Sequence, residues 1–328
     1  MEWRQIYKPI YFLLFSVIFF FIIFLCAEIF FYNDQTIKKF SLSNPEEYEL
    51  EQNIFLINNG SSCINRLEVK VAIINNNSPW QFVENININP KPISIEIDDI
   101  GNKIAYFQFD GTKANQTVEI NTKYLLRIYS SSFDIDPNDK LMYRSSLEEE
   151  YKSYILPEKY IECNSDEIKK TSNEIVGNTD DCLAIKKLYD FVRKHINYTK
   201  DSVICKGALC ALKNKQGDCT EFTDLFIALC RVRGIPARFI TGFVEVPIMD
   251  KIISHNWAEV YIEHYGWVPV DPTNRLFGVK PNNYVVVSYG RSIESLNGKF
   301  FYFFKILDYN KTNDLQIIHS QEVKIKKA

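Results

Sequence analysis

The pattern of apolar and polar positions changes character three times along the chain. It opens with an apolar run, Ile10 to Ala27, that no charge interrupts and that continues past Glu28 to Tyr32. Eighteen residues of helix rise roughly 27 Å, close to the thickness of a bilayer's hydrocarbon core. Arg4 and Lys8 precede the run and predict a cytoplasmic start, although Lys38 and Lys39 beyond it weaken the asymmetry. A cleaved leader would have a shorter apolar part and a small-residue cleavage site, and no Ala-x-Ala follows here. Residues 1–32 therefore read as a cytoplasmic tip and membrane anchor, with the bilayer contacting 10–32 and everything later outside the cytoplasm. Residues 33–50 are polar and read as a stalk.

From 51 to 150 the period becomes two. RLEVKVAII alternates and ends in NNNSPW. PISIEIDDIGNKIAYFQFDG holds two strands around an Asp-Ile-Gly-Asn turn, and TVEINTKYLLRIYSSS supplies more. Short strands at this spacing predict a β-sandwich. The stretch contains no histidine and no cluster of chemical groups, so it reads as a structural or spacer domain.

After Pro157 the period lengthens. SDEIKKTSNEIV and DCLAIKKLYDFVRKHI read as helices, the second with Ile185, Leu188, Tyr189 and Val192 on one face. A further helix is followed by the strand-like ARFITGFVEV, NWAEVYIE and WVPVD, and then by YVVVSYG, KFFYFFKIL and EVKIKK. Helices followed by strands predict an α+β domain over 151–328.

A net charge of −3 argues against a nucleic-acid partner. Eight cysteines lie in a chain expected outside the cytoplasm, where disulfides are permitted. Cys205 with Cys210 is the likeliest local pair on spacing, and Cys163 with Cys182 the second. No spacing suits zinc, so neither a metal nor a cofactor is expected.

The chemistry concentrates at QGDCTEFTD, residues 216–224. Phe222, Leu225, Phe226, Leu229 and Val232 make an apolar stripe, which Gly234 and Pro236 terminate. Asp218 is a good N-cap, and Glu221 completes a capping box. Cys219 then occupies the first helical position, where unpaired amides and the helix dipole favour a thiolate and can hold an oxyanion. The same Asp218 and Glu221 are fully explained as caps, and Cys230 as a buried small hydrophobe. A thiolate nucleophile needs a base and a group to orient it. Of the four histidines, His195 ends a helix, His264 lies in a turn and His319 in the tail. His255 starts a strand, with Trp257 and Glu259 on its face, and the following strand ends at Asp271. Two registers are open. Pairing Glu263 with Trp267 sets Asp271 opposite Glu259, too far from His255. Pairing Ile262 with Gly266 sets it opposite Trp257, one diagonal step away.

GDCTEFTDLFIALCRVRGIPARFITGFV and HNWAEVYIEHYGWVPVDPT resemble the core of the transglutaminase-like family of papain-type thiol enzymes, over roughly 155–290. IKKLYDFVRKHINYTKD is similar to the segment preceding that family's cysteine, and DDIGNKIAYFQFD to the β-domain preceding the core in microbial members. The resemblance implies Cys219 as nucleophile, His255 as base and Asp271 as its orienter. Asn256 stands where a small residue is commoner, and YGRS near 289 lacks the family's acidic residue. Gln216 is a candidate second oxyanion donor, Tyr198 a candidate cleft residue and Trp257 a candidate substrate contact, although packing explains Trp257 as well. Arg238 reads as a structural ion-pair residue. The expected activity is acyl transfer on an amide of a surface protein or peptide, resolved by water as in a cysteine peptidase or amidase. The open alternatives are amine-resolved protein-glutamine cross-linking and a non-catalytic peptide-binding surface module.

Overall fold

The structure is a computed structural model that describes residues 40–43, 45–141, 148–180, 182–200, 206–247, 251–307 and 316–328. The apolar run at 10–32, Cys26 and Cys205 lie outside the described residues. Among the described residues no helix is long and apolar enough to cross a membrane.

Chain order begins with β1 (Phe40–Leu42), β2 (Glu46–Asn58), β3 (Ile64–Ile73), β4 (Gln81–Asn89), β5 (Ser94–Ile97), β6 (Lys103–Thr112), β7 (Thr117–Ile128) and β8 (Ser131–Phe133). Helices α1 (Glu149–Lys152), α2 (Asp166–Val176) and α3 (Leu183–His195) follow, then β9 (Asn197–Tyr198), α4 (Ala208–Asn214), β10 (Gln216–Gly217) and α5 (Cys219–Val232). The remaining strands are β11 (Ala237–Val246), β12 (Lys251–Ile262), β13 (Gly266–Asp271), β14 (Leu276–Phe277), β15 (Val279–Lys280), β16 (Tyr284–Tyr289), β17 (Tyr302–Ile306) and β18 (Ile317–Lys327).

Two four-stranded sheets, in the orders β17-β3-β6-β5 and β18-β2-β7-β4, share a core that includes Leu50, Ile54, Leu67, Val69, Phe107 and Leu126. The sandwich differs from the expected 51–150 unit at both ends. Its second strand starts at Glu46, and β1 pairs with β8, so this part of the expected stalk is sheet. The tail, expected within the catalytic domain, returns to the sandwich. There β17 lies against β3, and β18 runs along β2 from Asn58 to Tyr48. Both segments are strands as the sequence indicates, but their partners lie far away in the chain, beyond the reach of local pattern.

The second layer is the five-stranded sheet β14-β13-β12-β11-β16, backed by the helices. Ser165 caps α2 by accepting from the Ile168 amide at 3.3 Å. The stripe expected on α5 is buried except for the half-buried Val232, and so are Thr223, Asp224, Ile227 and Ala228 on its other sides. The helix is central rather than amphipathic, because α2, α3, α4 and the sheet surround it. Its buried charge is met by Arg291, whose Nε donates to Asp224 Oδ1 at 2.7 Å. That contact gives the YGRS segment a structural role that sequence reading did not assign.

β16 is the wall between the layers. Val285 and Val287 enter the sandwich core, whereas Tyr284 and Val286 pack with Trp257 on the opposite side. Its outer edge is met by two amide side chains of the sandwich. Gln81 Nε2 donates to the Val286 carbonyl at 2.9 Å, and Gln81 Oε1 accepts from the Val286 amide at 2.8 Å. Asn102 makes the same fork to Tyr289, at 2.9 and 2.7 Å.

Candidate active site

Cys219 is the first residue of α5 and is partly exposed. The cap forms as the sequence predicts. Asp218 Oδ1 accepts from the Thr220 amide at 2.7 Å, and Glu221 Oε2 accepts from the Asp218 amide at 3.1 Å. The Phe222 amide donates to the Asp218 carbonyl at 3.2 Å. The cap thus uses the amides beyond Cys219 and leaves that of Cys219 outside it. Gly217 is required here, because a Cβ would lie 2.4 Å from that of Glu221.

The second register is the one observed. Ile262 pairs with Gly266 and Ala258 with Val270, so β13 delivers Asp271 across from Trp257. His255 and Asp271 are both buried, and His255 Nε2 donates to Asp271 Oδ2 at 2.7 Å. The other ring nitrogen is thereby left for Cys219. Burial works against a charged ring. The Asp271 and Cys219 hydrogen bonds, and then their charges, outweigh it and push His255 up to about 10. The favoured form of the ring is the imidazolium.

Sequence reading missed two supports of this arrangement. Tyr284 donates its hydroxyl to Asp271 Oδ2 at 2.9 Å. Asn274 gives its backbone amide to Asp271 Oδ1 at 3.0 Å, and its Nδ2 to Asp271 Oδ2 at 3.0 Å and to the Tyr284 hydroxyl at 2.7 Å. Asn274 follows directly on the Asp-Pro-Thr noted in the sequence, which marks the neighbourhood. Tyr284 opens a strand that reads only as apolar. Asn256, singled out as unusual, links the two halves of the site. Its Nδ2 donates to Thr220 Oγ1 and its Oδ1 accepts from Thr241 Oγ1, both at 3.0 Å. The strand carrying His255 is tied in this way to the first turn of the helix carrying Cys219.

Tyr198 is 55% exposed and pairs with Gly217 through the parallel β9–β10 contact. Burial, then the charges of Cys219 and Asp218, push its phenol up. Gln216 is exposed on the same short strand. Trp257 is only 1% exposed, which overturns the expectation of a substrate contact. Tyr284 covers it, with ring centroids 5.3 Å apart. Arg238 is structural, donating from Nε and Nη2 to Glu259 Oε2 at 2.8 and 2.6 Å while lying over Trp267 and Tyr289. Cys230 is fully buried, and burial pushes its thiol up, away from reactivity. Cys210 is disulfide-bonded, whereas Cys163 and Cys182 are reduced and do not pair with each other.

Residues 169–272 match the family model of the transglutaminase-like superfamily. The chain is 30% identical over 73 residues to the uncharacterized protein YebA of Bacillus subtilis, covering 19% of this chain and 10% of that protein. It is 30% identical over 101 residues to an uncharacterized protein of Mycobacterium tuberculosis strain H37Rv, covering 27% and 32% respectively. It thus spans a third or less of the length of these relatives. In fold it is similar to a candidate cysteine protease from Cytophaga hutchinsonii, with a TM-score of 0.67 over 88% of this chain and 92% of that one, at 17% identity. The segment that matches the transglutaminase-like superfamily, residues 169–272, holds Cys219, His255 and Asp271.

Proposed function

We propose that this protein is a thiol enzyme of amide bonds, held at a membrane by residues 10–32 with its catalytic site outside the cytoplasm, and that water is its normal acyl acceptor. The observation that carries the reading is the alignment of Cys219 at a capped helix start with a buried His255 held 2.7 Å from Asp271. The Cys219 thiolate attacks the amide carbonyl, and the oxyanion is met by the amide the cap leaves outside it, with Gln216 as a candidate second donor. The His255 imidazolium gives its proton to the leaving amine, leaving a thioester on Cys219. Neutral His255 then takes a proton from water as it attacks the thioester. The acid departs, and the thiolate–imidazolium pair is restored. Tyr198 lines the cleft beside the thiol.

Amine transfer requires water to be kept from the thioester. Tyr198 and Gln216, on the paired short strands β9 and β10, and Asn274, in contact with His255, are all exposed, which favours hydrolysis. The test supplies a glutamine-bearing peptide and a labelled primary amine to the full-length protein in detergent, beside Cys219→Ala. Free acid formed only with Cys219 present is the expected result. Efficient Cys219-dependent labelling with little acid would instead establish cross-linking, and peptide binding without turnover would establish a non-catalytic module.

A further inference from the structure

The β-sandwich, expected as a spacer, grips the strand that brings Tyr284 to the candidate triad. Gln81 lies on β4 and is fully buried. Its amide makes two hydrogen bonds to Val286, as a neighbouring strand would, at the open edge of the strand order. β16 has a register shift against β11, from Thr241–Ser288 to Gly242–Val286, which leaves Val287 as the extra residue. A bulge interrupts the ladder and bends the strand. Gln81 holds the strand on one side of the bulge and Asn102 on the other, at Tyr289. Two residues before Val286, on the same face, is Tyr284. Its hydroxyl bonds the very oxygen of Asp271 that receives His255.

We infer that Gln81 is a positioning residue for the triad, acting from the sandwich through β16 and the Tyr284 hydroxyl on Asp271. The inference rests on the proposed thiol-enzyme reading for its significance, but not for its test. A buried carboxylate keeps one orientation only when its oxygens have fixed donors. Tyr284 is such a donor, and its height over Asp271 is set by where the bulged strand is held. An apolar residue at 81 would leave the Val286 amide and carbonyl without partners, and the strand would shift to find others.

The experiment uses full-length protein labelled with nitrogen-15 in histidine, of which the chain has only four. The readout is the proton on His255 Nε2, seen far downfield while Asp271 holds it. In Gln81→Leu and in Tyr284→Phe this signal should broaden beyond detection while thermal unfolding remains cooperative. The double variant should be no worse than Tyr284→Phe. Gln81→Glu should lack the signal at pH 8 and regain it at pH 5, where a protonated carboxyl again offers one donor and one acceptor to Val286. A sharp, unshifted signal in folded Gln81→Leu would overturn the inference, as would loss in Gln81→Glu at both pH values. Alkylation by iodoacetamide, with exposed Cys63 as internal standard, tests the thiol-enzyme reading separately. Cys219 should outpace Cys63 in the wild type and slow by about tenfold in Tyr284→Phe, the scale of one buried hydrogen bond. Equal rates in the wild type, with the Nε2 signal still dependent on Gln81, would remove the enzyme reading and leave the positioning intact.

Discussion

Replacing Asp271 by Asn should collapse the charge state of His255. In the wild type the ring is raised from its ordinary 6.5 to about 10. That difference corresponds to roughly 5 kcal/mol between the two protonation states, at about 1.4 kcal/mol per unit. Burial acts in the other direction, and Asp271 supplies both the larger hydrogen-bond contribution and the larger charge opposing it. With a neutral amide at 271, burial and the remaining Cys219 contact decide the outcome, and the ring should titrate below 7. The assay is an NMR pH titration of the four histidine rings in full-length protein, with His255 assigned from the signal lost in His255→Gln. Stability should follow. A raised histidine stabilises the fold fully below pH 6.5, and that stabilisation is lost as pH rises through about 10. The difference in unfolding free energy between wild type and Asp271→Asn should therefore shrink over that interval. A variant ring still titrating above 9, or a wild-type ring titrating below 7, would refute the thiolate–imidazolium argument.

Two further outcomes follow from packing. Gly242→Ala would place a Cβ 2.0 Å from the Val285 carbonyl oxygen and 2.6 Å from the Trp257 ring, so β11 and β16 must separate; thermal unfolding should show a loss of about 1–3 kcal/mol or more, and an unchanged Tm would contradict the close approach. Deleting residues 302–328 would strip an edge strand from each sandwich sheet and uncover the β2 and β3 edges. Size-exclusion chromatography should find that variant aggregated, and a monodisperse, cooperatively unfolding product would show the tail to be dispensable.

The parts of the site governed by local pattern were legible in the sequence. The cap of α5 follows from Asp218 and Glu221 being three apart, and the shared face of His255 and Asp271 from strand alternation. The register was not legible. It depends on a loop in which His264 adopts a φ of +67° and Gly266 one of +78°, and the histidine gives no sign of that conformation. Packing of Trp257 was one of the two readings open, but its cover was hidden, because Tyr284 arrives from β16 at the edge of the sheet, distant in sequence. Tyr284, Arg291 and Gln81 share one reason for having escaped notice. Each acts on a partner distant in sequence, and nothing in its own segment distinguishes it from ordinary packing. Asn256 was visible as an oddity, but its bridge between Thr220 and Thr241 needed the fold.

The return of β18 to β2 has a bearing on when such an enzyme could begin to act. Tyr48, among the first residues of the sandwich, is paired with Lys327, next to the end of the chain. Pairings between such distant segments form late, since the whole intervening loop must first be closed. The sandwich lacks its last strand until residues 317–327 have been made, and Gln81 sits in that sandwich, gripping the strand that steadies Asp271. The nucleophile's helix and the histidine's strand would already have been made by then. Competence would wait for β18, so a chain not yet extended that far would carry the thiol without the means to use it on its neighbours.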